Sequence, residues 1–304
     1  MHHSVQSRMR DCYGARMRAP ARAACGPGAQ VACDLCNPSA FLCMGPDYPN
    51  ACSPGCRSAH VPSGTTPKFP PMSEDTLRRA VAEMVGAFTL TFIGAGAAAA
   101  SGVISDPTLI GVAVANGLAI GVMVCALGHI SGGHFNPAVT FGFLITRKIK
   151  PALAGVYWVA QFGGAALAAL LVRQLLPRAT TEAVKLGVPA LGHGVNATSG
   201  MFLEAILTFF LVFVIFGAAV DARNQFSVVA GLAIGLTITI DVLFGGPFTG
   251  AAMNPSRAFG PQLVGNHWAN AWVWYVGPLL GAAVAAGLYA FLYLRKPGVE
   301  PAAT

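Results

Sequence analysis

The sequence predicts an all-α polytopic membrane protein with six transmembrane helices and two re-entrant half-helices, arranged as an inverted internal repeat. Of its 304 residues, 54% are hydrophobic and only 10% are charged, and the mean hydropathy is +0.59. Soluble domains are far more polar than this. The repeat is indicated by an Asn-Pro pair that occurs twice, at Asn136-Pro137 and Asn254-Pro255, each time between a glycine-rich stretch and a short apolar run.

The first half of the repeat covers about residues 74–178 and contains three spans. Ser73-Glu74-Asp75 precedes the first span, and Asp106-Pro107 makes a turn before the second. Each span is an apolar run long enough to cross hydrocarbon, whereas the run after Asn136 is only half that length. The predicted elements are helix one at Leu77–Ser101, helix two at Leu109–Leu127, a half-helix from Asn136 to near Ile145, and helix three at Pro151–Leu176.

The second half covers about residues 199–296 and repeats this order after a polar connection at Pro177–Gly200. Gly245-Gly246-Pro247 is expected to break helix five, because glycine and proline interrupt helices. The predicted elements are helix four at Met201–Val220, helix five at Phe226–Leu243, a half-helix from Asn254, and helix six at Ala269–Leu294.

Three landmarks relate the two halves at nearly one spacing. The acids Glu83 and Glu204 are 204 − 83 = 121 apart, and the Asn-Pro pairs are 254 − 136 = 118 apart. The segment 117–121 recurs letter for letter at 231–235, an offset of 231 − 117 = 114. Because each half has an odd number of spans, the second half must be inverted, and inverted repeats with interrupted helices place a site near the membrane midplane.

Residues 1–71 read as a separate extension, and the channel domain is expected to be 72–304. All cysteines except Cys125 lie in this extension, where Cys33–Cys36 and Cys52–Cys56 have spacings compatible with zinc. The extension is rich in Arg, Pro and Gly, shows no helical or strand period and has no histidine at a finger-like spacing. It therefore favours disorder. Met72 resembles a natural start, so a wrongly assigned start codon is a further interpretation.

The net charge of +7 does not indicate a nucleic-acid partner, because the basic residues are divided between the extension and short turns beside spans. Positive residues favour the cytoplasmic side of a membrane. Their distribution predicts cytoplasmic termini, and we expect the plasma membrane as the location. The residues on the predicted inner side are Arg78, Arg79, Arg147, Lys148, Lys150, Arg223, Arg295 and Lys296, whereas Arg173, Arg178 and Lys185 oppose the trend.

Asn followed by Pro is a helix start, because Asn is a favoured N-cap and Pro is favoured at the first helical position. Once its oxygen caps the helix, each Asn still has an amide group that can donate hydrogen bonds. We expect both amides to face one lumen, at the positive ends of the two half-helices. Arg257, on the first turn of the second half-helix, is expected to be a pore-facing donor and a barrier to cations.

The remaining polar residues within the apolar segments have structural interpretations. Glu83 and Glu204 are expected to accept hydrogen bonds from the non-helical approaches to the half-helices, with a proton relay as the alternative. Gln161 is the main polar residue inside helix three. His129 and His134 invite a metal site but lack a third ligand, so we expect them to satisfy backbone groups. Cys125 is expected to be buried, and no catalytic or cofactor motif is present.

The chain resembles the aquaporin family, the major intrinsic proteins, at both Asn-Pro stretches. Residues 128–140, GHISGGHFNPAVT, are very close to the family's first motif, and residues 246–257, GPFTGAAMNPSR, resemble its second. The resemblance covers about residues 74–294. It implies a right-handed six-span bundle that assembles as a homotetramer with one pore in each subunit. The pore motif then falls on Asn136, Pro137, Ala138, Asn254, Pro255 and Ser256, where Ser256 departs from the usual Ala and adds a hydroxyl that is expected to satisfy a local carbonyl.

The resemblance also places the family's four-residue constriction on Asn116, Val242, Ala251 and Arg257. Strict water channels of the family carry an aromatic and a histidine at the first two positions, so this constriction is expected to be wider. It implies passive flow of water and small neutral solutes, with protons and ions excluded. The alternatives are a facilitator of glycerol, urea or metalloid hydroxides, although Ala258 replaces the Asp of the glycerol-conducting branch, and a secondary transporter. A structural membrane protein is a further alternative, and an enzyme is not expected.

Overall fold

The computed structural model describes residues 73–101, 109–225 and 227–294, and all regular secondary structure within them is helical. The expectations for residues 1–72, Asp106-Pro107, the start of helix five at Phe226, Arg295 and Lys296 lie outside this part of the chain. The helices are α1 Glu74–Ser101, α2 Leu109–Ser131, α3 Pro137–Ile145, α4 Pro151–Leu175, α5 Arg178–Ala183, α6 Ala197–Ile215, α7 Ala230–Thr249, α8 Pro255–Gly265 and α9 Val273–Leu292.

Six of these helices are long and apolar enough to cross a membrane, which confirms the predicted architecture. They are α1, α2, α4, α7, α9 and α6, the last of which continues as a π-helical turn at Phe216–Val220. Large apolar side chains remain exposed on the outside of the bundle, including Val159 at 76% and Ile240 at 61%. Such a surface is stable in hydrocarbon, where every backbone polar group is satisfied inside a helix.

The two halves interlock through their helices. Within each half the first span packs on the last, α1 on α4 and α6 on α9, while α2 and α7 pack on each other between the halves. Each half-helix packs on the last span of the opposite half, α3 on α9 and α8 on α4. This interleaving places the N-termini of the two half-helices inside the bundle.

Glycine permits a close contact between the halves where α2 crosses α7. A Cβ atom on Gly117 would lie 2.4 Å from the Gly235 carbonyl oxygen, and one on Gly235 would lie 2.5 Å from the Gly117 carbonyl oxygen. Any side chain at either position would separate the two backbones. The packing function predicted for the repeated segment therefore has a direct physical reason.

Several predicted boundaries are wrong. Helix α2 continues to Ser131 instead of ending at Leu127, and α9 begins at Val273 instead of Ala269. Helix α7 continues through Gly245-Gly246-Pro247 to Thr249 and ends at Gly250, which has a left-handed φ of 80°. Pro247 lies in the last turn, where it removes one helical hydrogen bond without ending the helix. The polar connection is also more ordered than predicted, because it contains α5 and a 3-10 turn at Lys185–Gly187. It ends earlier than predicted, because α6 begins at Ala197. Asn196 caps α6 by accepting a hydrogen bond from Ser199 N at 2.9 Å.

Candidate functional site

Both half-helices begin at an asparagine that caps its own helix, as the sequence predicts. Asn136 is extended, with φ −153° and ψ 122°, and its side-chain oxygen accepts a hydrogen bond from Ala138 N at 2.8 Å. Asn254 has φ −146° and ψ 109° and accepts from the backbone nitrogens of Ser256 at 3.0 Å and Arg257 at 3.3 Å. Proline follows each asparagine, where its fixed φ suits the first helical position.

Ser256 strengthens the second cap. Its hydroxyl donates to the Asn254 side-chain oxygen at 2.8 Å, so the expectation that it satisfies a local backbone carbonyl is wrong. The hydroxyl and the Ser256 N–H converge on the same Asn254 acceptor. The Asn254 side-chain oxygen thereby accepts three hydrogen bonds, whereas that of Asn136 accepts one.

Buried acids hold the two non-helical approaches to the caps. Glu204 in α6 is fully buried and accepts from Thr249 Oγ1 at 2.8 Å, Ala252 N at 2.9 Å and Met253 N at 2.7 Å. These bonds satisfy backbone groups that would otherwise be unpaired at membrane depth. They also fix Met253, whose φ of 51° is left-handed, against the steric cost of that conformation.

Glu83 in α1 does the same for the first approach with four donors. It accepts from Ser131 Oγ at 2.6 Å, His134 N at 2.9 Å, Phe135 N at 2.6 Å and Gln161 Nε2 at 2.7 Å. Phe135 has a left-handed φ of 49°, which matches Met253 at the repeat offset of 253 − 135 = 118. Both acids therefore have the contacts expected of structural supports.

The left-handed residues aim their carbonyls at the opposite half. Asn136 Nδ2 donates to the Met253 oxygen at 2.9 Å, and Asn254 Nδ2 donates to the Phe135 oxygen at 3.0 Å. Each asparagine thus uses one amide hydrogen to join the halves. The second amide hydrogen of each remains for another acceptor, because an amide nitrogen carries two.

One narrow cavity of about 30 Å³ runs past the meeting point of the half-helices. A cavity of this volume is large enough for a water molecule. Asn136 and Asn254 both line it, as do the four predicted constriction residues: Asn116, Val242, Ala251 and Arg257. The other motif residues, Pro137, Ala138, Pro255 and Ser256, are buried and do not line it.

A wider cavity of about 370 Å³ lies at the end of the bundle where α2 ends and α7 begins. The narrow and wide cavities share five lining residues, so they adjoin. Those residues are Gly133, His134, Val139, Ile215 and Ile234. We call the wider cavity the vestibule and the two cavities together the conduit.

Arg257 is held at the opposite end of the narrow cavity by a loop carbonyl. Its side chain is 9% exposed, and Nη1 donates to the Gly187 oxygen at 2.8 Å. Lys185, Leu186 and Gly187 are all left-handed, with φ of 47°, 58° and 72°. Three such residues in sequence turn the chain sharply and direct the Gly187 carbonyl at the guanidinium. The sequence alone does not predict this contact, because Arg257 and Gly187 are 70 positions apart in the chain.

Two residues on α2 differ from expectation. Cys125 is exposed instead of buried, and it lines the vestibule beside Gly231, where the contact between α2 and α7 reaches the start of α7. His129 lies one turn later, also lines the vestibule, and makes no hydrogen bond to the described residues. The described part of the chain therefore does not show the backbone contacts expected of His129.

Asp241 in α7 is a buried acid that the sequence-based selection missed. It is 3% exposed, and its Oδ2 atom is buried with no hydrogen-bond partner in the described part of the chain. It directly precedes Val242, which lines the narrow cavity. The reasoning that singles out Glu83 and Glu204, an acid within an apolar span, applies equally to Asp241.

Comparison with known proteins identifies the family. The family model for "Major intrinsic protein" matches residues 72–289. The chain belongs to this family. Among its relatives, Aquaporin TIP4-4 of Zea mays is 42% identical over 233 residues, covering 74% of this chain and 90% of the relative. Probable aquaporin TIP3-2 of Oryza sativa subsp. japonica is 47% identical over 195 residues, covering 64% and 71%.

A solved structure agrees with the fold. The X-ray structure of the aquaglyceroporin from Plasmodium falciparum aligns with a TM-score of 0.66 and 25% identity, covering 71% of this chain and 96% of that one. This major intrinsic protein is therefore an integral membrane channel for water and small neutral solutes. The relatives do not support the plasma membrane in particular as its location.

Proposed function

We propose that water and small uncharged solutes cross passively through the conduit, while ions and protons are excluded at the two asparagines and at Arg257. The observation that carries this proposal is that Asn136 and Asn254, from opposite halves, line the same narrow cavity as Arg257. Nothing in the mechanism requires energy coupling. Glu83 and Glu204 are both occupied by loop hydrogen bonds, which favours a channel over a proton-coupled transporter.

The asparagines act as donors to the solute. With one amide hydrogen engaged across the repeat, each asparagine offers its second hydrogen to a passing oxygen atom. A cation at this point faces the positive ends of two half-helices, which oppose it electrostatically. A water molecule that accepts from both amides directs its own hydrogens away from them, so it cannot relay a proton through the site.

The constriction is proposed to set the solute range. Arg257 and Asn116 supply polar groups, whereas Val242 and Ala251 supply a small apolar wall without large rings. Such a lining suits water together with neutral solutes such as glycerol, urea or metalloid hydroxides. Glycerol transport gains support from the likeness to an aquaglyceroporin, and a panel of water, glycerol, urea and arsenous acid in proteoliposomes measures the order of permeation.

The proposed context of the channel follows the sequence. Residues 72–304 form the channel domain, with repeat halves at about 74–178 and 199–296, and residues 1–71 form an extension. Both termini are proposed to be cytoplasmic, because an even number of spans returns the chain to its starting side and the basic turns cluster there. A homotetramer is the proposed assembly, and no catalytic role is proposed.

The decisive experiment measures osmotic shrinkage of proteoliposomes by light scattering, together with proton and cation leak. The wild-type channel is expected to raise water permeability above that of empty vesicles. Arg257→Val should increase cation or proton leak, because the fixed positive charge is removed from the narrow cavity. Arg173→Val is the matched control, since it also removes a guanidinium bonded to a carbonyl, that of Val264 at 2.8 Å, but away from the cavity.

Two outcomes would contradict the proposal. Water permeability equal to that of empty vesicles would rule out the conduit. Equal leak in Arg257→Val and Arg173→Val would rule out Arg257 as the ion barrier.

A further inference from the structure

The two arms of the conduit both begin at an Asn-Pro cap but differ in the residues around it. The outer arm runs from the asparagines towards Arg257, and the inner arm runs from the asparagines to the vestibule. The offset that relates Asn136 to Asn254 is 254 − 136 = 118, and it also pairs residues beside the caps. The outer arm has a cationic donor where the inner arm has an apolar side chain, and the inner arm has an imidazole and a hydroxyl where the outer arm has methyl groups. The pairs are Val139 with Arg257, His134 with Ala252, and Thr140 with Ala258.

His134 stands where the narrow cavity meets the vestibule. It lines both cavities, although it is only 7% exposed. Its ring packs against Phe143, with centroids 4.2 Å apart, and contacts the edge of Tyr157 at 5.3 Å. Nδ1 lies 3.1 Å from Thr140 Oγ1, whereas Nε2 has no hydrogen-bond partner among the described residues. The ring is therefore fixed by its neighbours, with one nitrogen left for the conduit.

The partners of Thr140 favour one tautomer of this ring. Its hydroxyl donates to the Asn136 backbone oxygen at 3.1 Å, the usual bond of a helical threonine to the carbonyl four residues earlier. The same oxygen accepts from Gln161 Nε2 at 3.0 Å. The orientation of the Gln161 amide is fixed, because Nε2 also donates to Glu83. With its hydrogen and one lone pair used, Thr140 has only an acceptor to offer His134.

We propose that Thr140 is a positioning residue that holds His134 in the Nδ1–H tautomer, so that the unprotonated Nε2 presents a hydrogen-bond acceptor to the inner arm. The inference rests on the proposed conduit. Arg257 and the two asparagines donate, while His134 accepts. A water molecule at the asparagines directs its hydrogens inward, and one at the junction donates to Nε2, so the column keeps one orientation towards the vestibule. A uniform orientation opposes proton hopping and gives solute hydroxyls an acceptor.

The tautomer is measured directly by ¹⁵N nuclear magnetic resonance of histidine-labelled full-length channel in lipid at neutral pH. The signals missing from His134→Gln identify the ring. Wild type and Thr140→Ser, which retains the hydroxyl, should show a protonated Nδ1 and a bare Nε2. Thr140→Val removes the acceptor and should show a mixture of both tautomers. A protonated Nε2 in wild type would overturn the assignment.

The transport consequence is measured separately in proteoliposomes. Thr140→Val should lower water permeability by roughly two- to fivefold, the factor set by one neutral hydrogen bond, and Thr140→Ser should restore it. Thr146→Val is the control, because it removes a hydroxyl at the other end of α3 that bonds the Gly142 oxygen at 2.8 Å and does not line either cavity.

The readouts separate the two proposals. A changed tautomer with unchanged permeability in Thr140→Val would refute the role of His134 in the conduit. A wild-type protein that has the Nδ1–H tautomer but passes no water would refute the proposed conduit itself, and with it the role assigned to the acceptor.

Discussion

Glu204→Gln tests whether a buried carboxylate holds the second approach in place. The substitution preserves the shape of the side chain but replaces one oxygen by an NH₂ group. Oε1 accepts from Thr249 Oγ1 and Ala252 N, and Oε2 accepts from Met253 N. Whichever way the amide turns, its NH₂ group must face at least one of these donors.

The expected loss follows from these contacts. A backbone N–H left unpaired inside the protein costs about 1–3 kcal/mol, and each hydrogen bond that changes from charged to neutral loses about 1 kcal/mol. With one donor unpaired and two bonds weakened, the free energy of unfolding should fall by about 3–5 kcal/mol. Water permeability should fall as well, because Met253 carries the carbonyl that accepts from Asn136.

Thermal unfolding in detergent and osmotic light scattering measure the two effects. Glu83→Gln should behave similarly, since Glu83 supports the mirrored approach through four donors. Glu182→Gln is the control, because its side chain is 71% exposed in a surface pair with Arg178 and such pairs contribute little. If Glu204→Gln unfolds at the wild-type temperature and conducts normally, the carboxylate is not the support described above.

Three further substitutions test other contacts. Gly187→Ala should lower both stability and water permeability, because its Cβ would lie 2.9 Å from the Ala95 backbone and would displace the carbonyl that holds Arg257; unfolding temperature and light scattering measure this. Asp241→Val should raise the unfolding temperature, by about 1 kcal/mol or more in stability, because it removes a buried polar group whose Oδ2 has no partner among the described residues. Asp221→Asn should loosen the turn at 221–225, which hydrogen exchange measures, because the Arg223 side chain and backbone N–H hold the pKa of Asp221 well below its usual range.

Each of these has its own check. Gly194→Ala matches the backbone strain of Gly187→Ala, with φ 79° and open space around the Cβ, so equal effects would contradict the role of the close approach. A lower unfolding temperature in Asp241→Val would mean that the carboxyl group has a stabilising partner. For Asp221 the folded pKa is depressed, so its stabilisation is present above the ordinary carboxyl pKa of about 4 and lost as the pH falls below it. A mutant effect that persists unchanged below that pH would exclude the ion pair as its cause.

Local sequence patterns predicted much of the fold because they act over short distances. Apolar runs of spanning length are sufficient to place α1 and α2, and an Asn-Pro pair fixes the start of a half-helix through contacts two or three residues away. The same local reasoning failed at Pro247. A proline in the final turn costs little, and sequence alone does not show where that turn lies.

The lining of the conduit was only partly predictable. Family resemblance indicates Asn116 and Arg257, yet the partner of Arg257 is a carbonyl in a loop whose left-handed turn has no clear sequence pattern. The sequence predicts burial for Cys125 and backbone support for His129, because an apolar span does not reveal which of its faces borders a cavity. The sequence shows Asp241 as an acid within a span. Only the folded structure shows that its Oδ2 has no hydrogen-bond partner among the described residues.

The sequence by itself determined the spans, the repeat and the two capped half-helices, because hydrophobicity and capping depend on neighbours in the chain. The tertiary structure decided how the halves join. The amide of Asn136 bonds the Met253 carbonyl, 117 positions away, and the amide of Asn254 bonds the Phe135 carbonyl, 119 positions away. It also decided which nitrogen of His134 is left for the conduit. Such bonds depend on where two left-handed residues direct their carbonyls, and that direction is set by packing between the halves.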